Sequence, residues 1–99
     1  MAIAMNDLLL LSSSNVQQSF ATYLLAQRKA SKLSRSALAQ RSTVPESTIK
    51  KFETTGQISL RQFLLLWQSL DDLARLQQLT KPASSLPSLP KSIDEVLAQ

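Results

Sequence analysis

Cysteine and histidine are both absent from this 99-residue chain, and glycine occurs once, at Gly56. These absences exclude a disulfide framework, a Cys/His zinc site, a cysteine nucleophile and imidazole acid–base catalysis. A single glycine also rules out the glycine-rich loops by which nucleotide enzymes cradle phosphates. The apolar runs at 8–11 and 63–67 are far shorter than the roughly 20 residues that span a bilayer. No basic region precedes an apolar one at the start, so no signal peptide is expected. With no nucleophile–base pairing or metal cluster in view, the expectation is a protein that is not an enzyme. It should need no cofactor, no metal, no membrane and no small-molecule substrate, and it suits a reducing cytoplasm.

What is present fits one small domain with tails. The chain is 43% hydrophobic, enough for a small core of the kind that often gains stability from a partner chain. Net charge is +4, and its distribution is uneven. Over 16–70, eight cations (Arg28, Lys29, Lys32, Arg35, Arg41, Lys50, Lys51, Arg61) face only Glu46 and Glu53. A basic middle with mildly acidic ends fits a domain that meets a polyanion. The plainer alternative is a solvated cationic surface.

The most informative stretch is 34–55, SRSALAQRSTVPESTIKKFETT. Ser34 is a good N-cap for a first short helix, whose inner face is Ala37, Leu38 and Ala39. The chain turns around 42–44, and Pro45 opens a second helix, its fixed φ suiting the first helical position. Val44, Ile49 and Phe52 point inward at helical spacing, which sends Glu46, Ser47, Lys50 and Lys51 outward. Two short helices with a polar, cationic second member have the pattern of a DNA-reading helix-turn-helix.

Around this stretch the periodicity predicts three further helices. One runs from a cap at 12–15 to about Ala30, with Val16, Phe20, Tyr23 and Leu24 on one stripe and Arg28 and Lys29 in the last turn. Gly56 suits the left-handed stop after the second short helix. Ser59 and Gln62 read as a capping box for a helix bearing Leu60, Phe63, Leu64, Trp67 and Leu70 on one face, widened by Leu65 and Leu66. Asp71 is expected to cap a last helix to about Leu79, with Leu73, Leu76 and Leu79 in register. The domain plan is therefore an N-terminal segment at 1–14, a helix-turn-helix domain at 15–79 and a tail at 80–99. The N-terminal segment, with leucines at 8–11, reads equally as a short helix or a strand. The tail is Pro/Ser-rich and expected to be flexible. Its end reads as the start of a brief helix with Ile93, Val96 and Leu97 on one side, and is either a docking peptide or strand, or plain tail.

The residues Leu38-Ala39, Val44, Ser47-Thr48-Ile49 and Phe52-Glu53 resemble the pattern of the Xre/Cro-type helix-turn-helix repressors. The continuation FLLLWQSL at 63–70 resembles the HipB branch, antitoxins that repress their own operon and bind a HipA-type serine/threonine kinase toxin. The likeness spans about 16–79. It implies an all-α, compact five-helix, lambda-repressor-like fold and a homodimer on an inverted-repeat operator in double-stranded DNA. It also implies that Glu46, Ser47 and Lys51 meet base edges, with Thr48 and Lys50 nearer the sugar–phosphate. Lysine suits guanine O6 and N7, serine several bases, and glutamate cytosine N4. Glu46 has a second explanation in the helix dipole. Ser34, Arg35, Thr54 and Gln57 would hold the backbone and fix register, and Arg28 with Glu53 would form a structural ion pair. Three features depart from the family: Thr43 stands where glycine is usual, Pro45 replaces a Ser/Thr cap, and no dimerising strand is recognisable after Leu79.

The expected function is that of an antitoxin and autorepressor of a toxin–antitoxin operon, neutralising a HipA-type kinase. The alternatives are a phage-type or general repressor with no toxin, and a helical adaptor that binds protein alone.

Overall fold

A computed structural model of the chain describes residues 11–83, and within them every regular element is a helix. The expectations for 1–10 and 84–99 lie outside the described residues. The helices are α1 (Ser13–Ala30), α2 (Arg35–Ser42), α3 (Glu46–Thr55), α4 (Leu60–Leu70) and α5 (Leu73–Gln78). Among the described residues no helix is long and apolar enough to cross a membrane.

Local chemistry places most of the helix starts. Ser12 caps α1 through a full capping box, its hydroxyl accepting from Asn15 N–H while the Asn15 side chain accepts from Ser12 N–H. The helix thus starts ahead of the expected domain boundary at 15. Ser34 caps α2 by accepting from Ala37 N–H at 3.0 Å. Ser59 caps α4 by accepting from Gln62 N–H at 3.2 Å, but only half of the expected box forms. The Gln62 carbonyl oxygen takes the Ser59 hydroxyl proton instead of the backbone N–H. Pro45 is the N-cap of α3 rather than its first helical residue, with φ −58° and ψ 144°, and it supplies no side-chain cap. Its carbonyl accepts from Ile49 N–H at 3.1 Å.

Asp72, not Asp71, caps α5, accepting from Ala74 N–H at 2.9 Å. Asp71 is otherwise engaged. Its carboxylate accepts from the Tyr23 hydroxyl of α1 and, at 2.7 Å, from Arg75. The Arg75 guanidinium stands 5.6 Å from the Tyr23 ring centroid and equally far from that of Trp67. The junction between α4 and α5 is thereby fastened to α1.

The core is formed by Ala21 and Leu24 from α1, Leu38 from α2, Val44 from the turn, Ile49 and Phe52 from α3, and Leu66 and Trp67 from α4. Removing each large member from water contributes about 1.5–3 kcal/mol. Val16, expected on the α1 stripe, is 38% exposed, because the inward line runs through Ala21 and Leu24 to Arg28. On α4, Trp67 is buried as expected, but Leu66 joins it at 0% exposure while Leu60 and Leu64, expected on the same face, turn outward. No residue of α5 is fully buried, and Leu73 and Leu79 are exposed.

Three turns use the left-handed region, at Lys32 (φ 59°) after α1, at Thr43 and at Gly56. Thr43 ends α2 at φ 66°, a conformation that disfavours a β-branched side chain. Gly56 ends α3 at φ 80°, and a Cβ there would lie 3.2 Å from the Gln17 carbonyl carbon and 3.3 Å from its Cβ. Thr43 and Gly56 predict opposite responses in urea unfolding. Relief of left-handed strain, less the extra chain entropy of glycine, makes Thr43→Gly stabilising by about 0.5–1 kcal/mol. Gly56→Ala should cost about 1–3 kcal/mol, since strain and close approach to α1 add together.

Candidate nucleic-acid interface

The second short helix, α3, has two unlike sides. Ile49 and Phe52 are buried with 0% and 2% exposure, holding the helix against α1 and α2, and the Phe52 ring meets Phe63 of α4. At the other side Glu46, Ser47, Lys50, Lys51 and Thr54 are exposed, and Thr48 is half-buried. This division follows from helical period alone, since residues three and four apart share a face.

A shallow depression lies along each flank. One, of about 460 Å³, is lined by Arg35, Glu46, Ser47 and Lys50, where the start of α2 meets α3. The other, of about 480 Å³, contains Ser47, Thr48, Lys51 and Gln57 on one side and Ser59 and Gln62 at the start of α4 on the other. Ser47 borders both, so it stands on the ridge between them. Each depression presents a lysine ammonium and hydroxyl or amide groups, donors suited to an anionic backbone, and the first also holds the Glu46 carboxylate, which only accepts. Ser59 and Gln62 are additions that the sequence reading passed over as caps. Their nearness to Gln57 in the chain was the available signal.

Several expected contact residues have hydrogen bonds within the protein that limit what they can offer. The Thr54 hydroxyl donates to the Lys50 carbonyl at 2.9 Å and lies 3.1 Å from that of Lys51. Its single proton is occupied, leaving lone pairs that do not suit a phosphate oxygen. Ser34 is different: its oxygen accepts from Ala37 N–H, which leaves its own O–H for a ligand. Gln57 has its backbone N–H bound to the Thr55 hydroxyl, and its side chain remains in the second depression.

Behind this surface sits a buried ionic cluster. Arg28 of α1 grips Glu53 of α3 through two bonds, Nε to Oε2 at 2.7 Å and a terminal nitrogen to Oε1 at 3.1 Å. Its other terminal nitrogen donates to the Leu33 carbonyl at 2.9 Å. Arg35 of α2 then donates from Nε to the same Oε1 at 2.8 Å. One carboxylate thus joins three helices. Sequence reading expected the Arg28–Glu53 pair and assigned Arg35 to the DNA backbone; it did not foresee that Arg35 also joins Glu53. The two arginines differ in exposure, with 10% of the Arg28 side chain and 35% of the Arg35 side chain reaching solvent.

Burial by itself would raise the Glu53 pKa. Hydrogen bonds from Arg28 and Arg35, with their positive charges, outweigh that effect and hold the carboxyl below its ordinary value of 4.5. No buried side-chain nitrogen or oxygen among the described residues lacks a hydrogen-bond partner. The cluster therefore meets the condition under which buried ions are tolerated.

No family model, curated protein or solved structure matches the chain. What it does must be read from its own side chains.

A carboxylate with a depressed folded pKa stabilises the protein above its unfolded pKa, and that contribution disappears as pH falls through the folded value. Urea titrations across an acid series should thus show stability falling below about pH 4.5, with part of the fall missing in Glu53→Gln. At neutral pH, Glu53→Ala should cost about 3–5 kcal/mol, because Arg28 would be left buried without a counter-charge.

Proposed function

We propose that this chain is a sequence-specific binder of double-stranded DNA that acts as a transcriptional repressor. The single observation that carries the reading is the division of α3. Ile49 and Phe52 hold it from behind, while Ser47, Lys50 and Lys51 project from a surface that Arg35 borders at the start of α2. A helix that is rigidly seated and polar on its free side fits the B-DNA major groove, which is about 12 Å wide. Lys51 and Ser47 read base edges, Glu46 accepts from cytosine or favours the helix dipole, and Lys50 and Thr48 lie nearer the sugar–phosphate. Ser34, Arg35 and Gln57 set the register. Thr54 is the weakest of the backbone contacts, its proton being taken by the helix carbonyls.

A homodimer on an inverted repeat would set two copies of α3 in successive major grooves, about 34 Å apart. The resemblance of 63–70 to the HipB branch supports a narrower version, an antitoxin that represses its own operon and neutralises a HipA-type serine/threonine kinase. The adjacent reading frame distinguishes that version from a repressor with no toxin.

The test is a gel shift with the DNA upstream of the protein's own gene, across a salt series. Binding should be tight at low salt and weaken steeply as salt rises, in proportion to the phosphates neutralised. Lys51→Ala should weaken specific binding by about 1–3 kcal/mol with helical content unchanged. Absence of any shift at low salt would leave the protein-binding adaptor as the better account.

A further inference from the structure

We propose that Glu53 is a positioning residue that aims Arg35 at a DNA phosphate. The buried carboxylate would then govern docking on the duplex as well as stability. This inference rests on the duplex-binding reading above and adds to it the reason that Arg35 occupies the start of α2.

The geometry separates the two ends of the Arg35 guanidinium. Nε is the atom that meets Glu53, at 2.8 Å, and the Glu53 side chain is only 4% exposed. The Arg35 side chain is 35% exposed and lines the depression shared with Ser47 and Lys50. A guanidinium anchored through Nε keeps its terminal N–H groups for a second partner. Such a fork suits the paired oxygens of a phosphodiester. Charge favours the same partner, because two guanidiniums share one carboxylate and leave one positive charge uncompensated. Lys50 at the same depression adds another, against Glu46.

Pre-orientation is what Glu53 contributes. A long cationic side chain at an exposed helix start loses rotamer freedom when it meets a phosphate, and one already held loses less. Arg28 secures Glu53 from α1, so the aim of Arg35 is referred to the whole core rather than to its own short helix.

The test measures anisotropy of a labelled mixed-sequence duplex over a salt series, with the full chain and three variants: Arg35→Gln, Arg35→Lys and Glu53→Gln. Far-UV circular dichroism checks that each is folded. Arg35→Gln should lower affinity about tenfold and reduce the log–log salt slope by about 0.9, the value of one phosphate contact. Glu53→Gln is the decisive variant, because it makes the protein more positive and ordinary attraction would tighten binding. The inference expects it to bind about three- to tenfold more weakly, with the same loss of slope. Folded Glu53→Gln that binds as tightly as the parent or more so overturns the inference. Should that variant not fold, Arg35→Lys decides. It retains the charge without the fork, and parent-like affinity and slope would overturn the inference just as surely. A parent chain that binds no duplex at low salt would remove the DNA-binding reading itself. Parent binding with unaltered variants would remove the roles of Arg35 and Glu53 and leave the duplex-binding reading in place.

Discussion

One carboxylate, held between two guanidiniums, ties together three helices of this structure. Glu53 lies in the last turn of α3, Arg28 comes from the long helix α1, and Arg35 from the start of α2. Hydrophobic contact alone would hold these helices together but would let them slide, since dispersion and burial have no direction. Charge-assisted hydrogen bonds at 2.7–2.8 Å have direction, and they fix the angle at which α3 is offered. A buried ion pair commonly gives little net stability over an apolar substitute. In this protein its consequence is orientation.

The rest of the molecule follows from that seating. Ile49 and Phe52 fill the space behind α3, and Phe52 lies 6.1 Å from Phe63 of α4 in an edge-on arrangement. Gln17 of α1 donates to the Gly56 carbonyl just past the end of the helix. The exposed side of α3 therefore carries Ser47, Lys50 and Lys51, side chains that the core does not use. Far from it, the Tyr23–Asp71–Arg75 group fastens the last helix, where few apolar groups are buried.

Much of the fold was legible along the chain, and the exceptions have identifiable causes. Ser34 and Ser59 announced helix starts because a hydroxyl beside an apolar-periodic run has one favourable use, whereas the first cap was narrowed only to 12–15. The choice between Asp71 and Asp72 was not legible, since either can cap, and a tyrosine distant in sequence claimed the first. On α4 both sides of the helix carry leucine, so period could not say whether Leu60 and Leu64 or Leu66 would be buried. The contacts of α4 with α1 and α2 decided for Leu66. Thr43 stood out only through the family resemblance, which has glycine at that place, and its φ of 66° gives the anomaly a physical form.

The candidate surface divides in the same way. Helical period and side-chain chemistry, both local properties, determined that α3 would bury Ile49 and Phe52 and expose Ser47, Lys50 and Lys51. Only the tertiary structure decided that Arg35 and Arg28 share Glu53, that Ser59 and Gln62 face Lys51 across a groove, and that the Thr54 proton turns inward. Such pairings depend on where separate helices meet. A carboxylate has several lone pairs and any nearby guanidinium can take one, so the partners are chosen by packing rather than by spacing along the chain.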